Sequence, residues 1–469
     1  MLFSDPIFLA FFAIYFACHL IVPPRRRIYL IIGGSTVFYA WWRVDYIWLP
    51  YLLTGIAWCG VAAFERAGDP TQRRRRLAAT LVALFLPLIC VKYSFFFVHD
   101  VVGAFPGIMP LLGDIDWLKI PLPLGISFVT FTLTAYVVDV YVGRYPAQRR
   151  LADVLGYVLF FPHLIAGPIL RPHELMPQLR QIRRSLDARF TLGTALFALG
   201  LVKKLVFADT LAAAVDPVFK ADAVASGWEY LLAIYGFGAQ IYCDFSGYTD
   251  MAIGLAYLLR IRLPTNFLRP YGAASVVEFW RRWHVTLSHW LRDYLYIPLG
   301  GNRRGRARQL ANIMITMVLG GLWHGANWTF VIWGFLHGSA LATGHLLGVP
   351  MRRAGLAVPR WLGVVLTFQF VTVAWVFFRA HDISTARKVL AGPFIASWTD
   401  AGSFVQGHIF ELLLLAIFLL THKYDRHAGL RLMVSRSHKG LVWVGIGLAC
   451  TIAITVSQGS SSKFIYFDF

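Results

Sequence analysis

Apolar runs separated by short basic or polar segments follow one another along almost the whole chain. Residues 6–22, 28–42, 47–64 and 77–98 open the series, and 121–142, 191–219, 229–259, 361–378, 409–420 and 441–456 continue it. A helix needs about 20 apolar residues to cross the hydrocarbon core, so the shorter runs predict tilted or partial spans. The pattern predicts an all-α, polytopic membrane protein with roughly 11–13 transmembrane or re-entrant helices.

Three stretches depart from simple spans. The run 151–170 contains Pro162, His163, Gly167 and Pro168 and has basic segments on both sides. That reads as a re-entrant segment, because non-helical backbone at membrane depth survives only inside protein or along a cavity. His163 in such a broken helix is as readily structural as catalytic. Residues 260–308 hold no spanning run but many arginines and aromatics, including Glu278, Trp280, Arg281, Arg282, Trp283, His284 and Ser288. Helical spacing predicts Trp280, His284 and Ser288 on one face and a Glu278–Arg282 pair, in an interfacial or re-entrant helix buried on one side.

The third stretch, 309–346, is an apolar hairpin interrupted by Leu322, Trp323, His324, Gly325, Ala326 and Asn327. His324 lies fifteen residues beyond Gln309, which at ~1.5 Å per residue is roughly 20 Å into a ~30 Å core. No cation, carboxylate or cysteine stands beside it in sequence. An ionisable residue at that depth is a functional candidate by default, against the plainer reading of a neutral core histidine bonded to a carbonyl. Gly321 and Gly325, four apart, allow close approach of backbone or a slender ligand, and Gly334 and Gly338 repeat the spacing beside His337.

Composition agrees with the membrane class. The chain is 58% hydrophobic and 14% charged, with a formal net charge of +20. Most Lys and Arg fall in alternate inter-helix segments, the positive-inside pattern, and no nucleic-acid module accompanies them. The basic face suits anionic headgroups of the lipid bilayer or a phosphorylated cytosolic ligand. The charge pattern predicts a cytoplasmic 423–439 loop and exterior termini, with 1–22 a retained span rather than a signal peptide. Cys18, Cys59, Cys90, Cys243 and Cys450 read as small core residues, and neither a disulfide nor a metal site is indicated. Lys203, Lys204, Asp209, Asp244 and Asp250 fall within apolar runs. Mutual pairing is the simplest reading, and a transporter or channel pathway is the alternative. No internal inverted repeat supports that alternative, and no carboxylate-rich loop suggests a glycosyltransferase.

Several motifs in order carry a resemblance. They are Met1-Leu2-Phe3-Ser4, Phe38-Tyr39-Ala40-Trp41-Trp42-Arg43 and Pro123-Leu124-Gly125-Ile126-Ser127-Phe128, followed by the stretch from Phe161 through Pro162, His163 and Gly167 to Pro168. Asp244-Phe245-Ser246-Gly247-Tyr248, the run from Glu278 to His284, and Gly321-Leu322-Trp323-His324-Gly325-Ala326 complete the set. With these the chain resembles the membrane-bound O-acyltransferases, in the branch that serves bacterial alginate O-acetylation. The resemblance implies one membrane domain over 1–469: N-terminal helices to 150, a re-entrant and catalytic core over 151–346, C-terminal helices to 459 and an exterior aromatic tail over 460–469. It implies a helical ring around a central funnel, His324 as catalytic histidine and His284 as the second characteristic polar position. It further implies acetyl-CoA as donor, no bound cofactor, a bacterial inner-membrane location, and as partners a periplasmic polysaccharide acetyltransferase and the polysaccharide synthesis machinery. Arg281, Arg282, Arg303 and Arg304 are candidates for holding the donor's phosphates. The terminal Phe464-Ile465-Tyr466-Phe467-Asp468-Phe469 is similar to an aromatic motif whose tyrosine carries the acyl group outward, which makes Tyr466 the acceptor or relay candidate. Whether that tail is an interfacial anchor or a plug returning into a groove is open from the residues alone, as is the polymer: alginate, cellulose or another exopolysaccharide.

Overall fold

The computed structural model describes residues 1–105, 108, 115–180, 188–220, 222, 224–353, 358–457 and 464–465. Helices make up its regular structure, and no strand occurs among the described residues. Among the described residues, six helical stretches are long and apolar enough to cross a membrane: Val44–Glu65, Arg189–Val218, Trp328–Leu347, Arg360–Arg379, Ala401–Tyr424 and Lys439–Ser457. Pro70–Lys92 and Phe96–Val102 form a further candidate bent by 65°, and Pro6–Ile21 and Ile126–Tyr141 are shorter apolar helices. The chain is an all-α polytopic membrane protein. Its contacts divide it into two compact units.

The first unit comprises residues 1–189 and 255–264. It holds α1 (Pro6–Ile21), α2 (Arg27–Ala40), α3 (Trp48–Glu65), α4 (Pro70–Lys92), α5 (Ile126–Tyr141), α6 (Leu151–Leu159), α7 (Phe161–Leu164) and α8 (Pro172–Arg180). α3 packs against α4 and α5, and α2 against α6. The apolar run 151–170 is broken, as its prolines suggest: Phe160 at φ −50°, ψ 101° separates α6 from α7. Pro162, near the start of α7, has no N–H with which to continue a helix from α6. Residues 165–170 are non-helical and buried within protein, one of the two settings in which such backbone is tolerated in a membrane. His163, 2% exposed, places Nε2 2.7 Å from the Tyr157 carbonyl. That is the structural reading of this histidine.

The second unit comprises residues 190–254 and 265–469. α9 (Ala188–Val202) runs through a π-helical turn, Lys203–Ala208, into α10 (Asp209–Val218). α11 (Gly227–Leu258) follows, then the short α12 (Val276–Trp280) and α13 (Val285–Leu291). The hairpin α14 (Arg306–His324) and α15 (Trp328–Arg353) leads to α16 (Arg360–Arg379), α17 (Ile383–Ile395), α18 (Ala401–Thr421), α19 (His427–Arg436) and α20 (Lys439–Ser457). α17 is not marked by a long apolar run. Its start is set locally, where the Asp382 carboxylate accepts the Thr385 amide at 2.7 Å, an ordinary N-cap.

The charges inside the second unit pair with one another. Lys203 Nζ lies 2.7 Å from Asp250 and 2.6 Å from Asp425, and Lys204 Nζ lies 2.8 Å from both Asp209 and Asp244. His427 Nε2 is 2.6 Å from the other Asp250 oxygen, and the Tyr242 hydroxyl donates to Asp425 at 2.6 Å. Burial works to raise the Asp425 carboxyl, but the Lys203 ammonium and the Tyr242 hydroxyl outweigh it and hold it below its ordinary value. Removing one member of a buried pair strands the other, at about 3–5 kcal/mol. Lys203→Met is therefore expected to lower the thermal midpoint of the detergent-solubilised protein sharply. Adding Asp425→Asn should recover part of that loss; a double variant no better than the sum of the single ones would remove the coupling.

Candidate active site

The hairpin is built by glycine. A Cβ on Gly321 would run into the Phe330 carbonyl and the Gly334 backbone, and one on Gly334 into the Met317 carbonyl. With hydrogens at these positions α14 and α15 approach until backbone meets backbone. α14 ends at His324 because Gly325 turns to φ −157°, ψ 145°, and the Asn327 side chain restarts the helix by accepting the Thr329 amide at 2.9 Å. His324 is 4% exposed. Three rings stand edge-on to its imidazole: Trp323 at 5.0 Å, Phe378 at 5.1 Å and Trp333 at 5.2 Å between centroids.

The continuous helix expected to carry Trp280, His284 and Ser288 on one face does not form. α12 stops at Trp280, and His284 adopts φ 40°, ψ 55°, a left-handed conformation that costs a residue with a Cβ about 1 kcal/mol or more. Asn266, in the connection after α11, compensates. Its Oδ1 accepts the Thr286 amide at 3.2 Å, the Thr286 hydroxyl at 3.0 Å and His284 Nδ1 at 3.2 Å, while its carbonyl accepts the Val285 amide at 3.0 Å. Because that oxygen is an acceptor to a backbone N–H, His284 carries its hydrogen on Nδ1, and Nε2 presents a lone pair. His284 is fully buried, and among the described residues its Nε2 has no hydrogen-bond partner. A neutral imidazole in this tautomer accepts a hydrogen bond at Nε2; it cannot polarise a carbonyl there. The expected Glu278–Arg282 pair is present. At Glu278 burial is outweighed by the Ala274 amide, Arg282 and Arg360, which hold the carboxyl below its ordinary value.

Trp323 links the two histidines, its indole lying 6.4 Å from the His284 ring and 5.0 Å from that of His324. His284 also meets Phe245 of α11 edge-on at 4.8 Å. The candidate arginines are not gathered around this pair. Arg281, Arg303 and Arg304 are exposed, and Arg282 is engaged by Glu278 and by the Arg269 carbonyl. Tyr466 lies outside the described residues. Of the tail, Phe464 is 1% exposed and packs on Tyr248 and Phe245, so this part returns into the protein rather than lying at the interface. Asn266, Trp333, Phe378 and His337 join the site without having been assigned a role from sequence. His337 lies 4.8 Å from the Trp333 ring, and its Nδ1 accepts the Trp280 indole N–H at 3.3 Å. Only its glycine neighbours marked it in the sequence.

The profile of the MBOAT, membrane-bound O-acyltransferase family matches residues 146–381, a stretch that contains both His284 and His324. The chain belongs to that family. It is 41% identical over 404 residues, 85% of this chain and 79% of the relative, to the protein named "probable alginate O-acetylase AlgI" of Azotobacter vinelandii. It is 36% identical over 427 residues, 84% of this chain and 79% of the relative, to a peptidoglycan O-acetyltransferase of Helicobacter pylori. A teichoic acid D-alanyltransferase of Streptococcus thermophilus is 28% identical over 297 residues, 56% of this chain and 70% of that one. The chain is thus an O-acyltransferase of the membrane.

Asn266→Leu keeps the volume near His284 but removes the oxygen that satisfies Thr286 and orients the imidazole. Losing it should destabilise the fold by about 2 kcal/mol or more, since buried donors are left without an acceptor. A thermal midpoint equal to that of the wild type would show that the His284 turn holds without this residue.

Proposed function

We propose that this O-acyltransferase takes an acetyl group from acetyl-CoA on the cytosolic side of a bacterial inner membrane and passes it outward for O-acetylation of an exported polysaccharide such as alginate. The acetyl assignment is supported by the greater identity to relatives named for O-acetylation than to those named for D-alanylation. The observation that carries the reading is His324: a buried imidazole at the turn of an apolar hairpin, ringed by aromatic groups and joined through Trp323 to a second histidine.

An imidazole nitrogen of His324 removes the proton of the acceptor hydroxyl as that oxygen attacks the thioester carbonyl. The tetrahedral intermediate collapses with cleavage of the C–S bond, and the imidazolium returns the proton to the departing thiolate. His284 is a positioning residue in this scheme. Its Nε2 lone pair accepts a hydrogen bond from the substrate, such as an amide N–H of the donor's pantetheine arm. Arg281, Arg303 and Arg304, being exposed, are free to meet the donor's phosphates, whereas Arg282 is occupied by Glu278. Tyr466 is the first acceptor; its acetyl ester is handed to a periplasmic transferase working with the polysaccharide synthesis machinery. Both termini are then periplasmic. A transport function drawing on the buried lysines has less in its favour, because Lys203 and Lys204 are each held between two aspartates.

General-base catalysis contributes about 10²–10⁴-fold, so purified, folded His324→Ala protein should lose acetyl transfer by that factor. Wild-type turnover in the variant would end the assignment. After incubation with acetyl-CoA, mass spectrometry should find one acetyl group on Tyr466. Polysaccharide acetylation in cells carrying Tyr466→Phe should fall to background, and an undiminished level would reject the relay.

A further inference from the structure

The two buried lysines of the π-helical turn have parallel surroundings among the described residues. Lys203 is shared by Asp250 and Asp425, and the second Asp250 oxygen is met by His427 at 2.6 Å. Lys204 is shared by Asp209 and Asp244, and the second Asp244 oxygen is met by the backbone amide of Ile465 at 2.8 Å. Among the described residues each lysine thus faces two carboxylates, which leaves carboxylate oxygens that the lysine does not satisfy. An additional donor is then needed for an oxygen buried away from water. His427 supplies it in the first cluster. In the second it comes from the far end of the chain, 221 positions away.

The side chain before that amide is held as well. Phe464 stacks on Tyr248 at 4.8 Å, with 28° between the rings, and meets Phe245 at 5.8 Å and 64°. Asp244, Phe245 and Tyr248 stand at i, i+1 and i+4 on α11, so one turn of helix supplies the carboxylate and both rings. Phe245 is also the ring that meets His284 at 4.8 Å. A single aromatic group therefore separates the docked segment from the candidate active site.

We infer that this turn of α11 is a receptor for an aromatic segment, and that Phe464 and Ile465 of the chain's own tail are its ligand. Asp244 captures the backbone amide whatever the side chain, and the Phe245–Tyr248 slot selects the ring that precedes it. Together they set the register of the tail. The consequence for acyl transfer rests on the acceptor role proposed for Tyr466, the next residue: the receptor is a positioning device for that hydroxyl.

Hydrogen exchange read by mass spectrometry on the full chain in nanodiscs tests the docking without reference to acyl chemistry. The Ile465 amide should be protected in the wild type and exchange on the order of tenfold faster or more in Asp244→Asn, as a hydrogen bond to a charged acceptor implies. Phe464→Ala, which alters only the tail and leaves the helices intact, should do the same. Wild-type exchange as fast as in Phe464→Ala would overturn the receptor. Acetyl on Tyr466, measured on the same samples, should fall in both variants. A protected Ile465 amide with no acetyl on wild-type Tyr466 would leave the receptor standing and remove the relay alone.

Discussion

A lysine that enters an apolar layer must find its counter-charge inside the protein, and two consecutive lysines impose that condition on the second unit. The π-helical turn directs Lys203 and Lys204 to different aspartates of α11, six residues apart on that helix. Gly200 and Gly247 let α9 and α11 approach until each would press a Cβ on the other's carbonyl. The ion pairs hold the register that the glycines permit. From this one alignment follow the place of Asp425 after α18, the place of His427 at the start of α19, and the oxygen left on Asp244 for the returning tail.

The two histidines of the candidate site are held by unlike means. His284 is oriented: a hydrogen bond to Asn266 selects its tautomer, and the same oxygen anchors the backbone that turns through a left-handed conformation to place it. His324 is caged, at the end of a helix whose termination is set by Gly325 and among rings about 5 Å away on three sides. An oriented group with one available lone pair suits the holding of a substrate. A caged group at a turn suits proton transfer in a place that water reaches poorly.

Helix positions were largely legible in the order of residues, because a bilayer demands long apolar runs: α16 and α20 begin and end close to theirs, whereas α18 ends with its run but starts at Ala401, well ahead of residue 409. The break between α6 and α7 was legible too, through Pro162. What local spacing could not reveal was the division of α12 from α13. Periodicity favoured one helix, and the residue that overrides it, Asn266, stands 18 positions away. The position of the tail belongs to the same class, since its partners lie on α11. His324 stood out from its depth alone, but the aromatic enclosure around it draws on α15 and α16 and has no sequence signal beyond general richness in Trp and Phe. The arginines show the converse limit: a basic loop reports which side of the membrane it faces, and says nothing about which guanidinium meets a phosphate.

The crossing of α14 and α15 also bears on how such a chain can change over generations. Where backbone touches backbone at Gly321 and Gly334, not even one methyl group can be admitted without moving the helix that ends in His324. α18 and α20 stand at the opposite extreme, with only 11% of their apolar stretches buried and most side chains facing outward. Substitutions there trade one greasy surface for another. Drift is therefore channelled to the periphery, where a substitution leaves the hairpin untouched.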